Sequence, residues 1–393
     1  MKATLQSIFR DSFSGFSLSR AIPQHHRKAA RSIIECRTAA LGGHIKRCPG
    51  GHVQEVWYNS CRHRACPQCS HLSKERWLEK QKTRLLACDH FHVIFTIAHE
   101  LHALWRLNTR LLIEILFQSA RDTLLELLGD HRYLGATPGV MMSLHTWGRT
   151  LSFHPHVHCL VTGGGLTPTG EWKAVKNGYL LPVAVVRTIF RGKFLAAVGK
   201  ALEQGRLIVP EGMTSQKVKN CLNQLGRKNW NVCIRERYSH GSGVITYLAR
   251  YVKGGPISNR RLSCADDRGV SFGYRDHRDG KSKLMTLSSE EFIQRTLWHV
   301  PERGMQVIRH YGLYGRCGLE LRGKCRAQLG QVAEQAGVVL AVEQYWEKVG
   351  HPEKLRCPVC GERIICVGRF PRGGSPPDEE KRPFGKAQSM QAA

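Results

Sequence analysis

The chain has 393 residues, with 59 Lys and Arg against 31 Asp and Glu for a formal charge of +28, and its 41% hydrophobic content can fill two or three ordinary cores, which excludes a disordered tail. A field of that sign attracts polyanions and weakens with salt, so nucleic acid is the expected partner and a hydrolase of small phosphates leaves the charge unexplained. No apolar run approaches the roughly 20 residues that cross a bilayer, residues 1–20 lack a signal peptide's apolar segment, and fifteen cysteines in a large chain point to reduced thiols and zinc in an intracellular protein.

In chain order, residues 20–41 mix Arg, Lys and Ala with spaced Ile and Leu, which predicts a basic helix leading into Gly42 and Gly43. Cys48, His52, Cys61, Cys66 and Cys69 then place five soft or borderline donors within 22 residues, enough for one tetrahedral zinc whose binding folds a small module. Cys36 and His44 lie just upstream as substitutes. A basic helix over 73–87 precedes an apolar strand over 91–98, which opens the catalytic domain. Helical spacing over 101–128 ends at Gly129, and strands over 139–147 and 156–162 are joined through Gly148 and Arg149. Residues 163–182 read as loop, 184–228 as a basic helical insertion, 231–237 as an edge strand, 243–253 as a helix, and 257–275 with 283–287 as further strands.

After residue 303 come a helical segment and a Cys357-Pro-Val-Cys360 knuckle, for which Cys366, or Cys317 with Cys325, remain as further donors. Pro, Gly and Lys dominate from 368 onward, predicting a disordered tail. Strands and helices mix without a βαβ rhythm, so the expected class is α+β with an antiparallel sheet. The expected division is a zinc-binding DNA-binding domain at 1–87, a catalytic domain at 88–300, a helical region with the knuckle at 301–367, and the tail at 368–393.

Two constellations carry chemistry. His156 and His158 flank Val157 on a strand, so both imidazoles project to one side and can grip one divalent cation. His154 extends the alternation, and Pro155 marks a strand end or edge, where active sites commonly sit. Neutral imidazoles suit Mn or Zn more readily than Mg, but a third ligand, for which His145 is the candidate, and phosphate oxygens soften that preference. Tyr247 and Tyr251 are four apart on the expected helix and share a face. A cation polarising a phosphate while a phenol attacks it cuts a phosphodiester and leaves a covalent phosphotyrosine. Phenol has a pKa near ~10, so the cation and the nearby Arg250 and Lys253 must favour the phenolate. Tyr311 and Tyr314 have no partner motif and read as structural.

The blocks around His154 to Gly165, Tyr247 to Lys253 with Ile257 to Leu262, and Asn59 to Cys69 resemble the two-tyrosine HUH transposases of the insertion-sequence ninety-one family, over roughly residues 25 to 315. The resemblance implies a palm-like central antiparallel sheet with flanking helices behind a small N-terminal zinc module. It further implies a divalent metal, Mg or Mn, on His156 and His158, with Tyr247 and Tyr251 as nucleophiles. The implied activity is rolling-circle transposition, with cleavage of single-stranded DNA at the element's ends, joining to a target, and a 5′-phosphotyrosine intermediate. A bacterial, nucleoid-associated location follows. One departure is that Gly51 stands where the family's Cys-x-x-Cys puts its second cysteine, with His52 adjacent. A rolling-circle replication initiator or conjugative relaxase uses the same chemistry, and a non-catalytic zinc-dependent DNA-binding regulator is the alternative from another class.

Overall fold

Two helices open the chain: α1 (Leu5–Leu18) and α2 (Gln24–Glu35). The computed structural model describes residues 3–235, 237–239, 243, 245–246, 254–276, 278–334 and 339–376. Thr4 caps α1 by accepting from the Ser7 N–H, while Ser7 reaches back to the Thr4 N–H. Ahead of the cysteine-rich module the sequence reading predicts one helix, over 20–41; α1, with its buried stripe of Leu5, Ile8, Phe9 and Phe16, is an additional one. Pro23 fixes the start of α2, and Gly42 at φ 65° turns the chain into β1 (Gly43–Arg47).

β1 pairs with β2 (Gln54–Tyr58) in a hairpin, and α3 (Ser70–Lys82) follows the cysteine-rich loop. The central sheet is then laid down by β3 (His90–Thr96), β4 (Thr137–Trp147), β5 (Phe153–Leu166), β6 (Trp172–Ala174), β7 (Val232–Ile234) and β11 (Ile308–Gly312). Its order is β11-β4-β5-β3-β7 with β6 beside β5, and every pair is antiparallel. The α+β class with a palm-like antiparallel sheet therefore holds. Within 163–182, expected as loop, residues 163–166 instead extend β5 and Trp172–Ala174 form β6, while 167–171 and 175–182 are irregular as expected.

One face of this sheet is covered by α4 (His102–Leu107), α5 (Thr109–Gly129), α6 (Val183–Glu203) and α7 (Ser215–Arg227). The core between them holds Phe95, Trp105, Leu112, Phe117, Val157, Phe190 and Trp230. Burying a residue of this size stabilises by roughly 1.5–3 kcal/mol, so this layer anchors the sheet. The helix expected over 101–128 is broken at Asn108. Its side-chain amide donates to the Leu104 and Ile208 carbonyls and accepts from the Ile208 N–H, tying the break to the α6–α7 loop.

A second core joins distant segments. β8 (Leu262–Asp266), β9 (Gly269–Arg275) and β10 (Ser282–Leu287) form a three-stranded sheet that shares one hydrophobic cluster with α1, α2 and the helix Ser289–Leu297. Residues 257–300 thus pack with the N-terminal helices, across the boundary expected at 87. Finally, β12 (Ile365–Phe370) pairs antiparallel with β1, so Gly368–Phe370 are ordered strand although the composition predicts tail from 368.

Candidate functional site

Strand alternation and strand pairing together build a histidine cluster. Val157, Cys159 and Val161 of β5 are buried in the helical core, which sends His156 and His158 to the opposite face. On β4, His145 lies opposite His156 and Ser143 opposite His158. The ring centroids are 5.3 Å apart for His145–His156, 4.1 Å for His145–His158 and 4.8 Å for His156–His158. One nitrogen from each ring lies within 4.8 Å of the other two. The expected pair is therefore gathered with His145 into a triad.

Pro155 sits inside β5, where its missing N–H would break the ladder. The β4–β5 register shifts between His145 and Trp147 at that point, so two residues of β5 face Thr146 and the strand bulges instead of ending. The bulge bends the strand beside His156, which is half-buried, while His145 and His158 are buried at 2% and 4% exposure.

Hydrogen bonds orient the rings. His156 Nδ1 lies 2.6 Å from the His154 carbonyl oxygen, an acceptor, so Nδ1 carries the proton and Nε2 the lone pair. His158 Nδ1 lies 2.7 Å from Nε2 of His92, on β3, which leaves His158 Nε2 to face the cluster. Sequence reasoning missed His92, although His90-Phe91-His92 repeats the His-x-His spacing. Burial lowers His156 and His92 to about 4 and holds His145 and His158 well below the ordinary histidine value. All four are neutral at pH 7 and can offer lone pairs. Three neutral imidazoles fit a divalent transition ion, Mn more readily than Mg.

Tyr247 and Tyr251, with Arg250 and Lys253, lie outside the described residues. The residues flanking them are informative. Ile245 is fully buried in a cluster with Leu160 and Met141, which alternation places on the same sheet face as His158 and His145. On the other side, a Cβ added to Gly255 would lie 2.6 Å from the carbonyl oxygen of Ala65, the neighbour of Cys66.

The cysteines divide differently from expectation. Cys36, Cys61, Cys66 and Cys69 converge, with Cys61 Sγ 3.4 Å from Cys69 Sγ and the Cys61 N–H 3.5 Å from Cys36 Sγ. This set ties the end of α2, after which Cys36 caps, to the start of α3, which Cys69 precedes. Cys48 and His52, expected in the same shell, are instead grouped with Cys357 and Cys360. The reason is strand length: β1 and β2 are five residues each, roughly 17 Å at about 3.3 Å per residue, and carry Cys48 and His52 to the far end of the hairpin. Cys36 lies at the near end with Cys61. His44 pairs across to Trp57 and Arg369, and Cys317, Cys325 and Cys366 join neither set.

Beside β11 opens a cavity of about 740 Å³ whose lining includes Arg64, Arg84, Arg121, Arg309, Arg316 and Arg322. Arg309 pairs with Glu114 at 2.7 Å, Arg322 with Glu334 at 2.8 Å and Arg121 with Asp122 at 2.6 Å, and six arginines against these three carboxylates leave the wall a positive excess. Tyr311 lines the cavity, and Tyr314 is buried, its hydroxyl accepting from the Leu86 N–H at 3.3 Å and lying 2.7 Å from His90 Nε2. Tyr314 thus has the packing role its sequence context suggests.

Comparison with known proteins fits this geometry. A family model described as "Putative transposase" matches residues 139–320, and one described as "Transposase zinc-binding domain" matches residues 8–97. A Sinorhizobium fredii protein titled "Putative transposase y4qJ" is 35% identical over 362 residues, covering 89% of this chain and 91% of its own. The transposase for insertion sequence element IS801 of Pseudomonas savastanoi pv. phaseolicola is 27% identical over 347 residues, covering 85% and 81%.

Proposed function

This chain belongs to the insertion-sequence ninety-one family of transposases, and from that premise we propose that its histidine cluster and its Tyr247–Tyr251 segment cut and rejoin single-stranded DNA at the ends of a mobile element by rolling-circle chemistry. As a transposase it acts on DNA, and the cysteine set Cys36, Cys61, Cys66 and Cys69 is a structural zinc site within its zinc-binding domain. A closed four-thiolate shell performs no chemistry; it shapes a platform.

The observation that carries the reading is three neutral imidazoles converging on the sheet face that also receives Ile245, two residues before Tyr247. His145, His156 and His158 would hold the divalent ion, Mn or Mg. When bound, that ion supplies Lewis-acid polarisation of the scissile phosphate and orients the strand. His154 and His92 hold the rings of His156 and His158 in the tautomers that coordination needs.

One tyrosine oxygen attacks phosphorus, a P–O bond forms, and the bond from phosphorus to the departing 3′ oxygen breaks. The phenolic proton is lost and the 3′ oxygen ends protonated as a hydroxyl, while the 5′ side stays on the protein as phosphotyrosine. Attack by a 3′ hydroxyl on that linkage reverses the exchange and releases the tyrosine. No bond energy is lost, so cleavage and joining are isoenergetic steps of one reaction. Two tyrosines allow two successive transfers. The arginine-lined cavity beside β11 gives the DNA backbone a cationic path, and its contribution should weaken with salt.

The test is incubation of the full chain with labelled single-stranded DNA from the flanks of its own gene and Mn. A protein-linked product is expected from the unaltered protein. Tyr247→Phe with Tyr251→Phe should abolish it while DNA binding survives, and His156→Ala should stop cleavage even with added Mn. Adducts that persist in the double Phe variant overturn the nucleophile assignment.

A further inference from the structure

We propose that Cys48, His52, Cys357 and Cys360 form a second zinc site, distinct from the set of Cys36, Cys61, Cys66 and Cys69, which clasps the C-terminal segment onto the β1–β2 hairpin. The four donor atoms all lie within 4.8 Å of one another. Cys48 Sγ is 3.6 Å from His52 Nδ1 and 3.3 Å from Cys360 Sγ, across 312 residues of sequence. The cysteines are free thiols. Their spacing is far beyond a disulfide bond of ~2.05 Å and near the ~3.8 Å edge of a tetrahedral thiolate shell with Zn–S bonds of about 2.3 Å.

Both halves of the site are built as metal-binding loops. In Cys48-Pro-Gly-Gly-His52 the Gly51 N–H donates to the Cys48 carbonyl at 2.9 Å, and Gly51 has φ 74°. In Cys357-Pro-Val-Cys360-Gly361 the Gly361 N–H donates to the Cys357 carbonyl at 2.9 Å, and Gly361 has φ 75°. The Val359 N–H points at Cys357 Sγ from 3.4 Å, as donors do toward a thiolate. Gly51 removes a thiol from the first loop and His52 supplies a nitrogen one residue later, so the set is three sulfurs and one nitrogen. Cys360 and His52 are exposed, so apolar packing does not account for bringing them together.

The surrounding structure needs such a staple. β12 pairs with β1 over a short register that shifts between Ile45 and Lys46. Ile365 and Val367 stay 48% and 44% exposed, so the three-stranded sheet β12-β1-β2 buries little apolar surface on that side. At the opposite end Gly42 and Gly43 seat the C-terminal strand: an added Cβ would come within 2.6 Å of the Phe370 carbonyl oxygen and 2.5 Å of its ring. With the metal at one end and this seat at the other, the strand is held at both, and the sheet becomes a zinc ribbon made from segments far apart in sequence.

The zinc content of the full chain carrying His156→Ala, which disables the histidine cluster as a competing zinc site, tests this, with two ions per chain expected. Cys357→Ser with Cys360→Ser should lower the count to one and speed tryptic cleavage after Arg363 and Arg369. Because such a variant can misfold, cadmium NMR of the unaltered protein loaded with cadmium provides a second measurement. It should give two sulfur-ligated signals, one in the four-sulfur range and one in the three-sulfur, one-nitrogen range, whereas cadmium on the histidine cluster has no sulfur ligand and falls outside both. A single zinc in the His156→Ala chain, or a cadmium spectrum whose one sulfur-ligated signal is the four-sulfur signal, overturns the proposal. Neither readout depends on DNA cleavage, so failure of the nuclease reading would leave this result intact.

Discussion

His92 illustrates how a residue that touches no substrate can set the strength of a site. Its Nε2 lies 2.7 Å from His158 Nδ1 and it is 5% exposed, so it fixes the plane and tautomer of a ring that would bind the ion. Removing such a partner typically costs 10–100-fold in metal affinity. We expect His92→Ala to weaken Mn binding by about that factor in calorimetric titration, and His92→Gln, which keeps a hydrogen-bonding side chain, to recover part of the loss. Equal Mn affinity in all three proteins would assign His92 to packing alone. His156 and His158 were legible in sequence because alternation along one strand is local. His92 was not, since its role depends on β3 lying next to β5 in the sheet.

At the scale of elements, described residues on either side of the tyrosine segment are fixed by packing. Ile245 is buried against the histidine face and Gly255 abuts Ala65 of the cysteine-rich loop. A methyl group at Gly255 would meet a backbone oxygen at 2.6 Å, and backbone cannot swing away as a long side chain can. Gly255→Ala should therefore shift the tyrosine segment relative to the histidines. A displacement of about 1 Å costs on the order of 10²-fold in rate, so adduct formation should fall by about that much while the zinc count is unchanged. Unaltered adduct formation would show that the close approach at Gly255 does not set the reactive geometry. Element identities were mostly visible in hydrophobic spacing, but two boundaries were not. The break between α4 and α5 comes from Asn108 reaching Ile208, and the division of the cysteines comes from the length of a hairpin.

Across the whole molecule, buried histidines couple folding to pH. His299 is 6% exposed, with its Nε2–H donating to the Leu151 carbonyl and its Nδ1 accepting from the Thr146 hydroxyl, both at 3.1 Å. Burial lowers it to about 4 from the ordinary 6.5, and His310, beside Gln81, is likewise lowered to about 4. The unfolded chain takes up these protons first, so their stabilisation is complete above pH 6.5 and is lost as pH falls through 4. For His299 alone the loss is about 3 kcal/mol. Thermal unfolding followed by circular dichroism should show Tm falling steadily between pH 6.5 and 4, and a flat profile over that window would rule out neutral burial of these rings.

The sequence by itself determined what depends on charge and on near neighbours: a strongly cationic chain, strands and helices at their periods, one pair of histidines on the same side of a strand and an abundance of soft ligands. Tertiary structure alone decided which of those ligands meet. Donors close in sequence, such as Cys48 and Cys61, are driven apart by the rigid hairpin between them, whereas Cys48 and Cys360 are brought to 3.3 Å because antiparallel pairing of β1 with β12 aligns their loops at one end of a sheet. Spacing along a chain constrains distance only as far as the intervening backbone is free to bend, and regular secondary structure removes that freedom.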